Sequence, residues 1–517
     1  MKHVFHAAQI LGSQRIPSSG AGHAAVNPAT GETLEPVFHD ATFEEIDRAL
    51  RLAWSAHLAW KKRPLASRSA LLDLVARELE SVADDLVERG IAETGLPEAR
   101  LRNELGRTTA QLRLFARHVE DGRLIESRSV AAAPDRVPTP APALVLAMRP
   151  LGPVAVFGAG NFPLAFSVAG GDTASAFAAG CPVIVKAHPH HPGLSEIAGE
   201  AVARAVHESG LPEGVFGLIH GASPNVARDL VQHPLLAAVA FTGSTAAGLA
   251  IRDLAERRPT PIPVFAEMGS QNPVFILPAR LRARGAETAR ELAAAITLGV
   301  GQFCTRPSLV VVQQGQACDR FVAELIQALD AQGGGVMLNP TCRDRFLAAT
   351  AALNGAKGVQ RLLEPSAEPR TCAVGPALFR SPLEAWASAS VRDEEIFGPS
   401  SWIVTVEDTE GFLRLAGRLP GQLTAAIHGD EDDLSLMRDL LTLLEEKAGR
   451  LVFDGYPTGV EVNEAMMHGG PFPATTDSRF TSVGTLAVRR FLRPVCYQNL
   501  PPALRGHAER PNDPVWE

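Results

Sequence analysis

Four places in this chain hold residues that could do covalent chemistry together. Cys304, in Gly301-Gln-Phe-Cys-Thr-Arg-Pro, follows a helical run and precedes a strand-like one, where a thiolate would serve as a nucleophile. Glu267 closes an apolar run as a carboxylate that could move a proton, and Asn161, ahead of Phe162-Pro-Leu, carries an amide that could hold an oxyanion. Gly243 and Ser244 follow the run Ala237–Phe241 and open a helix, the arrangement that seats a phosphate. Each residue also has a plainer reading. A buried cysteine is most often a small hydrophobe, an isolated Glu a solvated charge, Asn161 a helix cap and Gly-Ser-Thr a turn.

The elements that must position them are legible from periodicity. From about Thr42 to Leu124 apolar residues recur at three and four, the helical spacing. Residues 130–150 turn Pro- and Ala-rich and end in the extended Ala143-Leu-Val-Leu-Ala-Met-Arg-Pro, a connection rather than a core helix. Short apolar strands then alternate with helices: Pro153–Phe157, a helix over Leu164–Ala179, Pro182–Lys186, a helix over Ser195–Glu208, Val215–Ile219, a helix over Asn225–Gln232 and Ala237–Phe241. The alternation resumes with Asn272–Leu277, a helix over Thr288–Val300 and Leu309–Val312. This predicts an α/β chain with parallel sheets covered by helices. The alternating tail Thr481–Gln498 predicts an edge strand available to a neighbouring subunit.

Composition narrows the class. The 517 residues, 46% of them hydrophobic, suit two or three globular domains. With 49 Lys+Arg against 57 Asp+Glu the formal charge is −8 and no basic patch interleaves with aromatics, so nucleic acid is not an expected partner. No apolar run reaches the roughly 20 residues that cross a bilayer, and the N-terminus has no secretory apolar region, so no membrane is expected and a cytoplasmic location is. The six cysteines form no CxxC pair and no Cys/His cluster at metal-ligand spacing, so neither a disulfide framework nor a metal is expected.

Six blocks, in order, resemble the aldehyde dehydrogenase superfamily: Gly158-Ala-Gly-Asn-Phe-Pro-Leu, Pro182-Val-Ile-Val-Lys-Ala-His-Pro, Phe241-Thr-Gly-Ser-Thr-Ala-Ala-Gly, Glu267-Met-Gly-Ser-Gln-Asn-Pro, Gly301-Gln-Phe-Cys-Thr and Glu394-Glu-Ile-Phe-Gly-Pro. Val26-Asn-Pro-Ala-Thr-Gly-Glu and Gly469-Gly-Pro-Phe-Pro-Ala-Thr extend the resemblance over nearly the whole chain. It implies a Rossmann-type cofactor domain, an α/β catalytic domain and a small bridging element. The expected boundaries are 1–127 with 151–266 for the NAD(P)-binding domain, 267–459 for the catalytic domain, and 128–150 with 460–517 for bridging and oligomerisation.

The resemblance also implies roles. Cys304 would be the nucleophile, its pKa lowered locally; Asn161, with the Cys304 backbone N–H, would hold the alkoxide; Glu267 would activate water to release a thioester. Lys186 would bind the adenosine ribose, Gly243 and Ser244 the pyrophosphate, Glu395 and Phe397 the nicotinamide riboside. Where many NAD-preferring members carry a Glu, three residues after the Lys, this chain has Pro189, flanked by His188 and His190, so NADP is expected ahead of NAD.

Gly-Asn-Phe-Pro-Leu-Ala-Phe, Ala-Gly-Gly-Asp-Thr-Ala-Ser-Ala and Gly-Gln-Phe-Cys-Thr resemble the branch that oxidises 2,5-dioxopentanoate to 2-oxoglutarate. There His468 would lie near the thiol, lowering its pKa or relaying a proton, and Arg306 would pair with the substrate carboxylate; the plainer readings are a structural histidine and a structural ion pair. A medium- or long-chain fatty aldehyde and succinate semialdehyde are the competing substrates. Glu267 speaks against an acylating dehydrogenase, and the intact Cys304, Glu267 and Asn161 against a catalytically silent binding protein. The family implies a homodimer or homotetramer.

Overall fold

The computed structural model describes residues 3–122, 127–501 and 503–504. The predicted helical region resolves into four helices, Phe43–Trp60, Ala66–Ser81, Ala83–Thr94 and Glu98–Glu120. The first is stopped at its start by a capping box, Thr42 accepting from the Glu45 N–H while the Glu45 carboxylate reaches back to the cap.

A seven-stranded sheet runs in the order Val264–Glu267, Ala238–Thr242, Val154–Phe157, Val183–Lys186, Phe216–Ile219, Gln9–Leu11, Gln14–Ile16. The first five strands are parallel, and their near-continuous burial is that of a sheet covered on both faces. Their register is what matters for a site. Phe157 pairs with Lys186 and with Phe241, Lys186 with Ile219, and Thr242 with Glu267, so the carboxyl ends line up along one edge. The loops leaving that edge carry Asn161, His188 to His190, Gly243-Ser244 and Met268, in the crevice where open α/β sheets bind ligands.

The second seven-stranded sheet runs Gln360–Leu363, Ala377–Pro382, Ser400–Val406, Leu309–Gln313, Val274–Ile276, Gln422–His428, Ala448–Phe453. Here the amino ends matter: Cys304 lies just before Leu309–Gln313 and Glu395 just before Ser400–Val406. Glu267 ends a strand of the first sheet and Val274 begins one of the second, so the chain crosses between sheets at the candidate site.

Three expectations need correction. The helix predicted from Leu164 begins only at Gly171, because the Leu164 and Ala165 N–H groups donate to the buried Glu104 carboxylate, which holds this stretch in turns. The tail is not a continuous strand: Thr485–Phe491 coils into a 3₁₀ turn, and Leu492–Gln498 alone is extended. That strand pairs antiparallel with Leu144–Pro150 of its own chain, in a three-stranded sheet completed by Ser127–Val130. The antiparallel strands Gln9–Leu11 and Gln14–Ile16 carry no strong alternation and were not anticipated. No helix among the described residues is long and apolar enough to cross a membrane.

Candidate active site

The backbone before Cys304 is wound into an unusual shape. Gly299, Val300 and Gly301 all have positive φ, at 57°, 58° and 65°. For a β-branched valine this is a strained conformation costing roughly 1–3 kcal/mol, sustained only where the surroundings fix it. A side chain at Gly301 would meet the Gly398 carbonyl oxygen at 2.3 Å, so two loops touch backbone to backbone here.

Asn272 fixes the other side of the thiol. Its Nδ2 donates to the carbonyls of Cys304 at 2.8 Å and Arg306 at 2.9 Å, and its Oδ1 accepts from Ser270 and Thr424 hydroxyls. Gln422 Oε1 in turn accepts the N–H groups of Gln271 and Asn272. These buried donors and acceptors hold the nucleophile loop from below. The sequence reading missed them, although Gln-Asn-Pro stands in the block that begins at Glu267.

His468 comes from the far end of the chain. The segment around it lies across the strand Val264–Glu267, tied by Met268 N–H to the Ala474 carbonyl, and the His468 N–H donates to Thr481 Oγ1 at 2.9 Å. Its Nε2 then sits 3.1 Å from Glu267 Oε2 and 3.5 Å from Cys304 Sγ. Ser482 Oγ adds a donor to Glu267 Oε2 at 3.2 Å. Both side chains are buried, Glu267 at 3% and His468 at 1% exposure.

The electrostatics sort the protons. Burial alone would push the Glu267 carboxyl up, but the His468 ring and hydrogen bonds from His468, Cys304 and Ser482 outweigh it and hold the group below its ordinary value. The Cys304 thiol goes the other way. Burial and the adjacent Glu267 charge raise it well above its ordinary value, with Arg107 opposing weakly. The expected local lowering is therefore not found: burial beside the Glu267 charge favours the protonated thiol, with His468 Nε2 3.5 Å from its sulfur.

Asn161 Nδ2 donates to the Gln302 carbonyl at 2.9 Å, placing the amide beside the nucleophile loop with one N–H still to give. No helix starts at Phe162, so the cap reading fails.

Arg306 is corrected. It is 1% exposed and donates to the carbonyls of Ser400 and Ile396, so it braces the Glu395 loop against the nucleophile loop instead of meeting substrate. A cavity of about 250 Å³ opens over Cys304 and His468, lined by Phe162, Phe166 and Phe303 with Arg100 and Arg107. Arg107 lies over the Phe166 ring with its Nε and one Nη buried and without a hydrogen-bond partner, whereas Arg100 stacks on Phe162 and also pairs with Glu104. Two arginines on one helix at the mouth were the signal available, diluted by the many arginines of that helix.

At the crevice edge, Lys186 is half-buried and its ammonium is brought down to about 8 by burial, against the pull of Asp40. Ser244 caps the helix Thr245–Glu256, accepting from Ala247 N–H, and Gly243 beside it is exposed. His188 is held neutral by burial and neighbouring cationic groups, and its Nδ1 accepts the His190 N–H, leaving Nε2–H to donate. Glu395 is pushed up to about 7 by burial, against Arg306, and its carboxylate covers Gly269, where a side chain would meet it at 2.5 Å. Phe397 is half-buried in the same loop. An exposed helix start, a lysine and a buried carboxyl fit a dinucleotide laid along this edge.

Comparison with known proteins accords with this arrangement. The model described as "Aldehyde dehydrogenase family" matches residues 16–470. The chain is 47% identical over 507 residues to alpha-ketoglutaric semialdehyde dehydrogenase 2 of Azospirillum brasilense, covering 98% of this chain and 97% of that one. It is 42% identical over 508 residues to alpha-ketoglutaric semialdehyde dehydrogenase of Acinetobacter baylyi, covering 98% and 96%. Lactaldehyde dehydrogenase from Escherichia coli superposes with a TM-score of 0.82 at 22% identity, covering 95% of this chain and 98% of that one, which shows a shared fold.

Proposed function

The chain belongs to the aldehyde dehydrogenase family, whose members oxidise aldehydes with NAD(P), and on that premise we propose that its substrate is 2,5-dioxopentanoate, oxidised to 2-oxoglutarate. The observation that carries the proposal is Arg107 at the cavity over Cys304, a half-buried guanidinium on the Phe166 ring with two buried nitrogens that have no hydrogen-bond partner in the protein. An aldehyde with an anionic far end satisfies it; a fatty aldehyde leaves it orphaned.

In this reading Glu267 takes the Cys304 proton as the sulfur attacks the aldehyde carbon, giving a thiohemiacetal. Asn161 turns its free N–H toward the alkoxide. NAD(P), when bound, would supply the hydride acceptor, and loss of hydride from the thiohemiacetal would leave a thioester on Cys304. Glu267, steadied by His468 and Ser482, then draws a proton from water, whose oxygen attacks the thioester and releases the carboxylate and the thiol. Lys186, His188, Gly243, Ser244, Glu395 and Phe397 hold the cofactor. NADP is preferred, since Pro189 puts no carboxylate three residues after Lys186 to repel a 2′-phosphate, and the Lys186 ammonium stands near His190 at this edge.

The units 1–127 with 151–266, 267–459, and 128–150 with 460–517 serve as cofactor-binding, catalytic and bridging parts, the last also lending His468 to the site. A homodimer or homotetramer forms through the outer edge of Leu492–Gln498 and the hairpin where Val130 and Val137 are 58% and 87% exposed. The cytoplasm is the expected compartment. The test is NAD(P)H appearance with NADP or NAD and a panel of 2,5-dioxopentanoate, succinate semialdehyde and hexanal. Preference for the oxo acid supports the reading, and preference for hexanal removes it.

A further inference from the structure

Cys304, His468 and Glu267 place three different metal-ligating atoms, all within 4.8 Å of one another, at one point in the structure. Sequence spacing gave no hint of this, because the three residues come from three separate loops. The two separations made by His468 Nε2 are those of a coordination sphere. Tetrahedral zinc with bonds of about 2.3 Å to sulfur and about 2.0–2.1 Å to nitrogen and oxygen sets its ligands about 3.5 Å apart for sulfur to nitrogen and about 3.3 Å for nitrogen to oxygen. Here Sγ lies 3.5 Å from Nε2, and Nε2 lies 3.1 Å from Oε2.

Two further observations point to a ligand. Glu267 Oε1 and His468 Nδ1 are buried without a partner, in side chains less than a tenth exposed. With its proton on Nδ1 the ring would offer Nε2 to a cation and break no other bond at Nδ1. The way in is also present: Cys304 and His468 line the 250 Å³ cavity, and behind them Glu267 and His468 line a small void of about 20 Å³, room for one water or ion.

We propose that Cys304 Sγ, His468 Nε2 and Glu267 Oε2 form a three-ligand site for Zn²⁺ or a similar borderline cation, its fourth position open to the cavity, and that occupancy reversibly shuts the enzyme off. Binding forms one bond from each ligand atom to the cation and releases the thiol proton to solvent, with no change of oxidation state. Sulfur, imidazole and carboxylate together select zinc over magnesium or calcium. The shut-off rests on the catalytic reading above, because it requires that nucleophile and base be the groups withdrawn. The binding itself does not.

The full-length protein, freed of metal with a chelator, is dialysed against ZnCl₂ and its bound zinc counted. One zinc per chain is expected, bound tenfold or more weakly in Cys304→Ser and in His468→Ala, and unchanged in Cys342→Ser. With Co²⁺ in its place the wild-type protein should show thiolate-to-cobalt charge transfer. Absence of stoichiometric zinc, unaltered affinity in His468→Ala, or a cobalt spectrum without a sulfur band would overturn the site. Loss of aldehyde oxidation with zinc and its recovery with EDTA are expected; loss that EDTA does not reverse would overturn the reversible shut-off, and zinc bound without any loss would uphold the site and sink the catalytic roles instead.

Discussion

His468 Nε2 stands 3.1 Å from Glu267 Oε2, a contact between two buried side chains that decides the charge of the carboxylate. Burial pushes the carboxyl up, and the His468 contact, with the Cys304 and Ser482 hydrogen bonds, outweighs it and holds Glu267 below its ordinary value, ready to accept a proton. Because its value in the fold is depressed, the ionised form persists as pH falls below the ordinary carboxyl range. His468→Ala removes the strongest lowering influence, so the acid limb of kcat/KM should move to higher pH, with a loss of about 100-fold at neutral pH. An unchanged limb would assign His468 a packing role.

The thiol is raised by burial and by Glu267, so alkylation of Cys304 by iodoacetamide should be slow at pH 7 and climb through the alkaline range. Glu267→Gln removes the neighbouring charge and should bring the thiolate absorbance on at lower pH. If the thiol titrates at higher pH in that variant, the assignment of Glu267 as its main charged neighbour is wrong.

Arg107 is expected to read the far end of the substrate. Arg107→Met should raise KM for 2,5-dioxopentanoate roughly 10- to 100-fold, the loss of one charge-assisted contact, and leave hexanal oxidation within about twofold. Equal effects on both substrates would make Arg107 a structural residue.

Arg306 is expected to matter for stability and not for substrate choice. Arg306→Met strips donors from the buried carbonyls of Ser400 and Ile396 and should cost about 2–4 kcal/mol, read as a lower urea midpoint. A variant with native stability and a selective loss of the oxo acid would restore the earlier expectation.

What the sequence disclosed and what it hid divide along physical lines. Strands such as Val183–Lys186 are buried on both faces and show themselves as apolar runs, and Thr42-Phe-Glu-Glu announces its helix by the capping box. Cys304, Glu267 and Asn161 were legible because their local blocks are distinctive. Arg306 misled because proximity to the thiol along the chain does not fix which way a side chain points; its guanidinium turns to the backbone two loops away. Arg107 was missed because only packing tells a helix-surface arginine from one facing a cavity, and the helix at Leu164 was overcalled because the Glu104 carboxylate, remote in sequence, claims its N–H groups. The raised thiol followed from burial beside Glu267, a juxtaposition of residues distant along the chain.

The central claim, a covalent path through Cys304 released by Glu267, is tested most directly by mixing Glu267→Gln with NADP and 2,5-dioxopentanoate, quenching in acid and weighing the intact protein. In this variant solvent takes the thiol proton in place of Glu267, so NADPH should form more slowly but to one equivalent per chain, with an acyl adduct that maps to Cys304 and turnover thereafter reduced about 100-fold or more. Full turnover with no adduct, or an adduct on another residue, would contradict it.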